Sequence, residues 1–372
     1  MTNRDRLLGL AVVAMWGFNF IAIHLSLNHF PPFFCAALRF TVLAIPVVLF
    51  VRFPKVRMRW FLVYAVGFGV LQFAFLFLAM HLGMPTGLAS LVLQTSAPFT
   101  VILGVLFLRE RMTPVQTAGI AVAVGGMLLI GVNRATHTGM GIAAVVPMVL
   151  TVLGGLGWAI GNIGSRLALK GGPARSAPDA RNTGPARGDR PNDHNDALRM
   201  TLWMSVVPPI PFLILSVFID GPTAGLGSLT TLDTHSGMLA LVGLAYTVLL
   251  GTVAGSSLWT HLISRYEASR VAPLSLLVPV VGITASWALL GEKPSVVEIA
   301  GSVIVIAGCA AGVLAAPRNR PRTRDRRAPD APDREVVTDR SAEGLGQRLP
   351  HPVHRSPGVR ADQRHVREAV DQ

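Results

Sequence analysis

Ten stretches of about 20 mostly apolar residues follow one another along this chain, and no other feature restricts its folding as much. They lie at about 7–27, 33–51, 60–80, 88–108, 115–132, 141–165, 199–219, 237–262, 271–290 and 297–316. Each has the length of a helix that crosses a bilayer, where every backbone N–H and C=O must be satisfied within the segment. The first is too long, and too interrupted by Trp16 and Asn19, to be a cleaved leader, and no small-residue cleavage site follows it. None alternates as the strands of a membrane barrel do. The expected class is an all-α polytopic membrane protein with ten transmembrane helices.

Charge distribution then sets the topology. Only 14% of the 372 residues are charged, against about a quarter in a soluble domain. The net charge of +13 would ordinarily suggest nucleic acid, but its placement points to the membrane instead. With the N-terminus inside, the inner loops hold 17 Lys and Arg, and the outer loops hold only Arg134 and Lys293. Both termini are therefore expected in the cytoplasm, as an even number of spans requires. Residues 171–196 and 317–372 are rich in Pro, Arg and Asp and lack an apolar period, so a disordered cytoplasmic insert and a disordered basic tail are expected. Cys35 and Cys309 sit within apolar runs far apart, as packing residues rather than a disulfide framework or metal site.

The chain also repeats itself. Placing Glu110 on Glu292, an offset of 182 residues (292 − 110), superposes Leu108 on Leu290, Ala118 on Ala300, Gly119 on Gly301 and Gly126 on Gly308. Pro98 and Pro279 fall within one residue of that register, and Trp16 and Asn19 resemble Trp158 and Asn162 at the start of the second half. Two five-helix repeats follow, 7–132 and 141–316, the second carrying the insert. An odd number of spans per repeat turns the second copy upside down. Inverted repeats are a carrier architecture, with a site near the midplane at their interface.

Charged groups within a span are costly, and only Arg39 qualifies. It is placed either to snorkel to the outer interface or to hold a carboxylate or helix-end carbonyls in a cavity. No Asp or Glu lies at mid-membrane; Glu110, Glu267, Glu292 and Glu298 sit at span ends, as do His24, His81 and His261. A carboxylate proton relay is therefore not visible, and a membrane-embedded enzyme lacks its acid–base cluster. Amides in hydrocarbon need a partner on another helix or on a ligand, which singles out Asn19, Gln72, Gln94 and Asn162. Trp16 and Trp158 are placed to wall a pocket beside them. Pro208, Pro209 and Pro211 break the seventh span, and Pro98 and Pro279 are matched kinks of the sort that mark a transporter's binding site.

At these residues the chain resembles the EamA-type domains of the drug/metabolite transporter superfamily. The duplicated Trp and Asn starts, Leu38-Arg39-Phe40, and the Glu-then-Gly-rich closing helix carry the likeness. More narrowly it is similar to the O-acetylserine/cysteine exporter branch, through Gln72–Phe77, Gly83–Gln94 and Arg265–Gly282. It departs in having His24 where many members have Lys, in the length of its insert, and in its tail. The resemblance implies an inner-membrane exporter of small amino-acid-like metabolites such as cysteine or O-acetylserine. A broader amino-acid, purine or drug efflux carrier is the alternative. Expected substrate-binding residues are Trp16, Asn19, Arg39, Gln72, Gln94, Trp158 and Asn162. The expected partners are a small-molecule substrate and the lipid bilayer, with a homodimer also open; no nucleic acid, cofactor or metal is expected.

Overall fold

A computed structural model describes residues 2–109, 112–137, 145–170, 192–266 and 268–314. Glu110, Glu267, the 171–191 part of the insert and the 317–372 tail lie outside the described residues. Among the described residues ten long helices carry the fold: α1 Asn3–Leu27, α2 Pro32–Phe50, α3 Met58–His81, α4 Thr86–Leu108 and α5 Pro114–His137, then α6 Val146–Lys170, α7 Asp196–Asp220, α8 His235–Leu262, α9 Pro273–Leu290 and α10 Val296–Leu314. The first nine are long and apolar enough to cross a membrane, α10 has a shorter apolar stretch over Val296–Ala311, and no strand occurs among the described residues. Helix already begins at Asn192, inside the segment expected to be irregular.

These helices are apolar on both faces. Phe30, Phe40, Phe77 and Phe212 are fully buried, yet Phe50 and Phe218 are 83% exposed, among a long series of outward-facing Leu, Val and Ile. Water would not tolerate an apolar surface so continuous; a lipid annulus covers it.

Helix ends follow local chemistry, and much of it occurs twice. At the start of α5, Thr113 N donates to Gln116 Oε1 (2.9 Å) while Gln116 N donates to Thr113 Oγ1 (3.2 Å). Ser295 and Glu298 form the same reciprocal box at α10, at 2.8 and 3.1 Å. α4 ends on Arg109 in the left-handed region (φ 54°), its N–H donating to the Gly104 carbonyl, and α9 ends likewise on Gly291 (φ 70°), donating to Ser286. Each pair is separated by the same 182 residues that relate Glu110 to Glu292. A left-handed Arg costs about 1–2 kcal/mol that Gly avoids. α5 outruns its expected end at 132 because its polar last turns reach α10: Asn133 donates to Ser295 Oγ (3.0 Å), and Arg134 pairs with Glu298 (3.5 Å).

Contacting helices are antiparallel wherever their chain positions require it. α5 and α10 meet along a glycine seam, Gly126 against the Gly301 carbonyl and Gly308 against that of Gly119. α3 crosses α6 antiparallel (Tyr64 at Gly164, Gly67 at Gly161, Gln72 at Gly157), and α1 crosses α8 likewise (Ala22 at Gly243, Trp16 at Gly255). α2 and α7 stack Phe40 on Phe212 at 6.0 Å. α7 is interrupted between Met204 and Pro209, with Ser205, Val206 and Val207 held by tighter i→i−3 bonds.

Candidate functional site

The two matched prolines generate the first part of the site. A proline cannot donate to the carbonyl four residues before it, so Pro98 frees Gln94 C=O and Pro279 frees Ser275 C=O. α4 accordingly passes through a 3₁₀ turn at Leu93–Thr95, and α9 is broken at Leu276–Leu277. The two breaks satisfy one another across the helix pair. Gln94 Nε2 donates to Ser275 O (3.0 Å), and the Cys309 thiol of α10 points at Gln94 O (3.9 Å).

Two further irregularities lie at equivalent places, for α3 is π-helical over Ala65–Leu71 and α8 over Thr247–Ala254. Three of the seven expected residues converge on the second segment. Trp16 Nε1 donates to the Gly251 carbonyl at 3.0 Å and its ring tilts onto Trp259 at 5.2 Å. Asn19, three residues on and so on the same face, packs against Gly251 with its Oδ1 unpartnered. Arg39, 5% exposed, reaches over from α2 and donates from Nη2 to Thr252 Oγ1 at 2.9 Å. Gly251 and Gly255 leave room for this approach, since a side chain on either would strike Asn19 or Trp16.

Two others meet the first irregular segment, and a third reaches α4 from the same helix as one of them. Trp158 of α6 stands edge-on to Phe68 (5.5 Å), and Asn162 donates from Nδ2 to Thr100 Oγ1 of α4 (3.1 Å). Gln72 ends the α3 π segment, its backbone against Gly154 and Gly157 and its Oε1 buried without a partner. Gln94, the seventh, holds the proline breaks together. The two groups are linked by aromatic rings: Arg39 lies 4.3 Å over Phe73, which touches Phe68, which touches Trp158.

Of the seven, only Arg39 borders the narrow crevice between α1, α2, α3 and α8, which it shares with Ser26, Cys35, Phe77 and Thr247 and which is too tight for a water molecule in this conformation. Cys35 and Cys309 are both free and buried, as packing residues should be. Sequence reasoning passed over Thr247, Thr252 and Phe73. Residues five apart sit about 140° apart on an α-helix, so nothing in an α-helical reading brings the two threonines together. The π turn does, with Thr252 Oγ1 donating to Thr247 O at 2.8 Å. Phe73 is indistinguishable from its apolar neighbours, and only its place beside Gln72 marks it.

One consequence is local. Trp16→Phe keeps the ring but leaves Gly251 C=O without its donor, so the purified protein should melt a few degrees lower, reflecting about 1 kcal/mol for one neutral hydrogen bond. An unchanged melting temperature would mean that the bond contributes nothing.

A family model described as the EamA-like transporter family matches residues 6–132 and 191–313. The chain is 38% identical over 308 residues to a "Probable amino-acid metabolite efflux pump" of Salmonella typhimurium, covering 83% of this chain and 94% of that one. It is 37% identical, with the same coverage, to the protein of that description in Escherichia coli K12. An "Uncharacterized inner membrane transporter YedA" of Escherichia coli K12 is 25% identical over 310 residues, 80% of this chain and 87% of that one. A solved crystal structure at 17% identity superposes with a TM-score of 0.52 over 86% of this chain and all of that chain, a likeness of fold alone.

Proposed function

The chain belongs to the EamA-like transporter family as a multi-pass protein of the inner membrane, and from that premise we propose that it exports small amino-acid-like metabolites, such as cysteine or O-acetylserine, by alternating access. The observation that carries the reading is kinship over nearly the full length of two proteins described as probable amino-acid metabolite efflux pumps.

The proposed architecture is ten spans in two inverted five-helix repeats, 7–132 and 141–316, with both termini in the cytoplasm. The recurring caps and the matched π and proline breaks support the duplication. Its inversion is supported by the glycine seam: exchanging equivalent residues turns the Gly126–Gly301 contact into Gly308–Gly119, as a two-fold axis would. The Lys and Arg of the loops support the orientation. Rocking of one repeat on the other then exposes the interface to each side in turn.

In this reading Asn19, Gln72 and Asn162 offer hydrogen bonds to the substrate, Arg39 takes its carboxylate, and Trp16 and Trp158 wall the path. Gln94, its amide already engaged by Ser275, belongs to the hinge that frames the site. Everted vesicles from overexpressing cells should accumulate labelled cysteine or O-acetylserine several-fold above vesicles without the protein. Equal uptake would remove these substrates, and resistance to a panel of toxic amino-acid, purine and drug analogues would then support the broader carrier.

A further inference from the structure

Arg39 presents an electrostatic problem that the fold leaves unsolved. The residue is 5% exposed, and among the described residues no carboxylate pairs with its guanidinium. Nη2 is engaged by Thr252, and the rings of Phe73 and Phe40 lie 4.3 and 5.3 Å from its central carbon, but Nε and Nη1 have no partner. Across the same crevice Thr247, 2% exposed, also has an unpartnered hydroxyl. A permanent cation without a counter-charge is costly inside a membrane, and the ring faces offset only a part of that. Two kinds of buried donor, one of them charged, therefore border one crevice that is closed in this conformation, with nothing to receive them until the carrier opens it.

We propose that Arg39 and Thr247 form the carboxylate seat of the transport site: one substrate oxygen lies on a free guanidinium nitrogen and the other accepts from Thr247 Oγ1. This rests on the exporter reading and sharpens it, naming the substrates as small monocarboxylates. The remaining walls suit that class. Ile23, Phe77 and Leu244 are apolar, and the hydroxyl of Ser26 is already held by the Ala22 and Ala240 carbonyls. A carboxylate on the cation completes the ion pair that the fold lacks, so an uncharged analogue gains little from the seat. Thr252 is a positioning residue here; its hydroxyl both accepts from Arg39 and donates to Thr247 O, tying the guanidinium to the π segment.

The test is thermal stabilisation of the purified full-length protein by O-acetylserine, its carboxamide, propionate and chloride. O-acetylserine and propionate should raise the melting temperature, and the carboxamide and chloride should not. Thr247→Val removes one hydroxyl without changing shape and should weaken the response about tenfold or more, as expected for a hydrogen bond to a charged group. Arg39→Gln should abolish it, and Arg39→Lys, which keeps the charge and guards against a simple folding defect, should retain a weakened response. Equal stabilisation by acid and carboxamide, or by chloride, would overturn the seat, as would a Thr247→Val protein that responds like the wild type. A response to propionate without one to O-acetylserine would support the seat and remove the amino-acid-like substrate. Export that continues unchanged in Arg39→Gln would overturn the seat and leave the exporter standing.

Discussion

Replacing Gly308 by leucine should remove nearly all correctly folded protein, while the same change at Gly125 should leave the yield unaltered. A Cβ on Gly308 would lie 2.5 Å from the Gly119 carbonyl oxygen and 2.6 Å from Ala123 N, both backbone atoms of α5. No rotamer change relieves that overlap, so α5 and α10 would have to separate along their seam. Overpacking typically costs about 1–3 kcal/mol. The van der Waals attraction forfeited as the helices part adds to this, because packing rather than water exclusion drives helix association in lipid. At Gly125 nothing lies within 4 Å, and the new side chain simply faces the bilayer. Monodisperse yield in detergent, followed by chromatography of a fluorescent fusion, should fall tenfold or more for Gly308→Leu. Equal yields for the two variants would disprove the seam.

The second large effect is expected at Glu292. From the loop between α9 and α10 its carboxylate accepts from Thr86 N at 2.8 Å and Gly87 N at 3.0 Å, capping the first turn of α4 in the other half of the chain. Helix starts leave four N–H groups without partners, and a carboxylate there gains from both hydrogen bonds and the helix dipole. Glu292→Ala strands two donors and should cost about 2–3 kcal/mol. Glu292→Gln still supplies one acceptor oxygen and should cost about half as much. If both variants melt with the wild type, the cap is incidental. Because the contact joins the two halves, the alanine variant should also change the rate of export.

Legibility in the sequence followed the severity of the physical constraint. Lipid demands an apolar surface all round a helix, so the nine membrane-capable helices among the described residues were visible from hydropathy alone. Their ends were less so: α5 continues through Asn133, Arg134 and Thr136 because those polar groups find partners on α10, which hydropathy cannot register. The Thr113–Gln116 and Ser295–Glu298 boxes carry a readable signature and would have fixed two helix starts. Prolines announced the breaks in α4, α7 and α9. The π segments had no such marker, since an i→i+5 turn arises from packing and not from any one residue. That is why Arg39 was conspicuous in the sequence as a charge, whereas Thr252, which it meets, and Thr247 were not. The same reason applies to Gln94: its polarity was evident, but that Pro279 had freed a carbonyl within its reach was a matter of three-dimensional register.

The glycine seam bears on how the protein is made. Gly308 leaves the ribosome 182 residues after Gly126 (308 − 126), an interval of roughly 10–40 s at typical elongation rates. Throughout that time the small-residue face of α5 lies in the bilayer without the helix it is shaped to meet. The nascent chain must survive insertion with its fifth helix unmatched, and membrane proteases that sample loosely packed helices have their widest opportunity before the last span arrives. Variants that slow the second half, or lengthen the insert within it, should therefore reduce accumulation without altering the melting temperature of the molecules that do complete assembly.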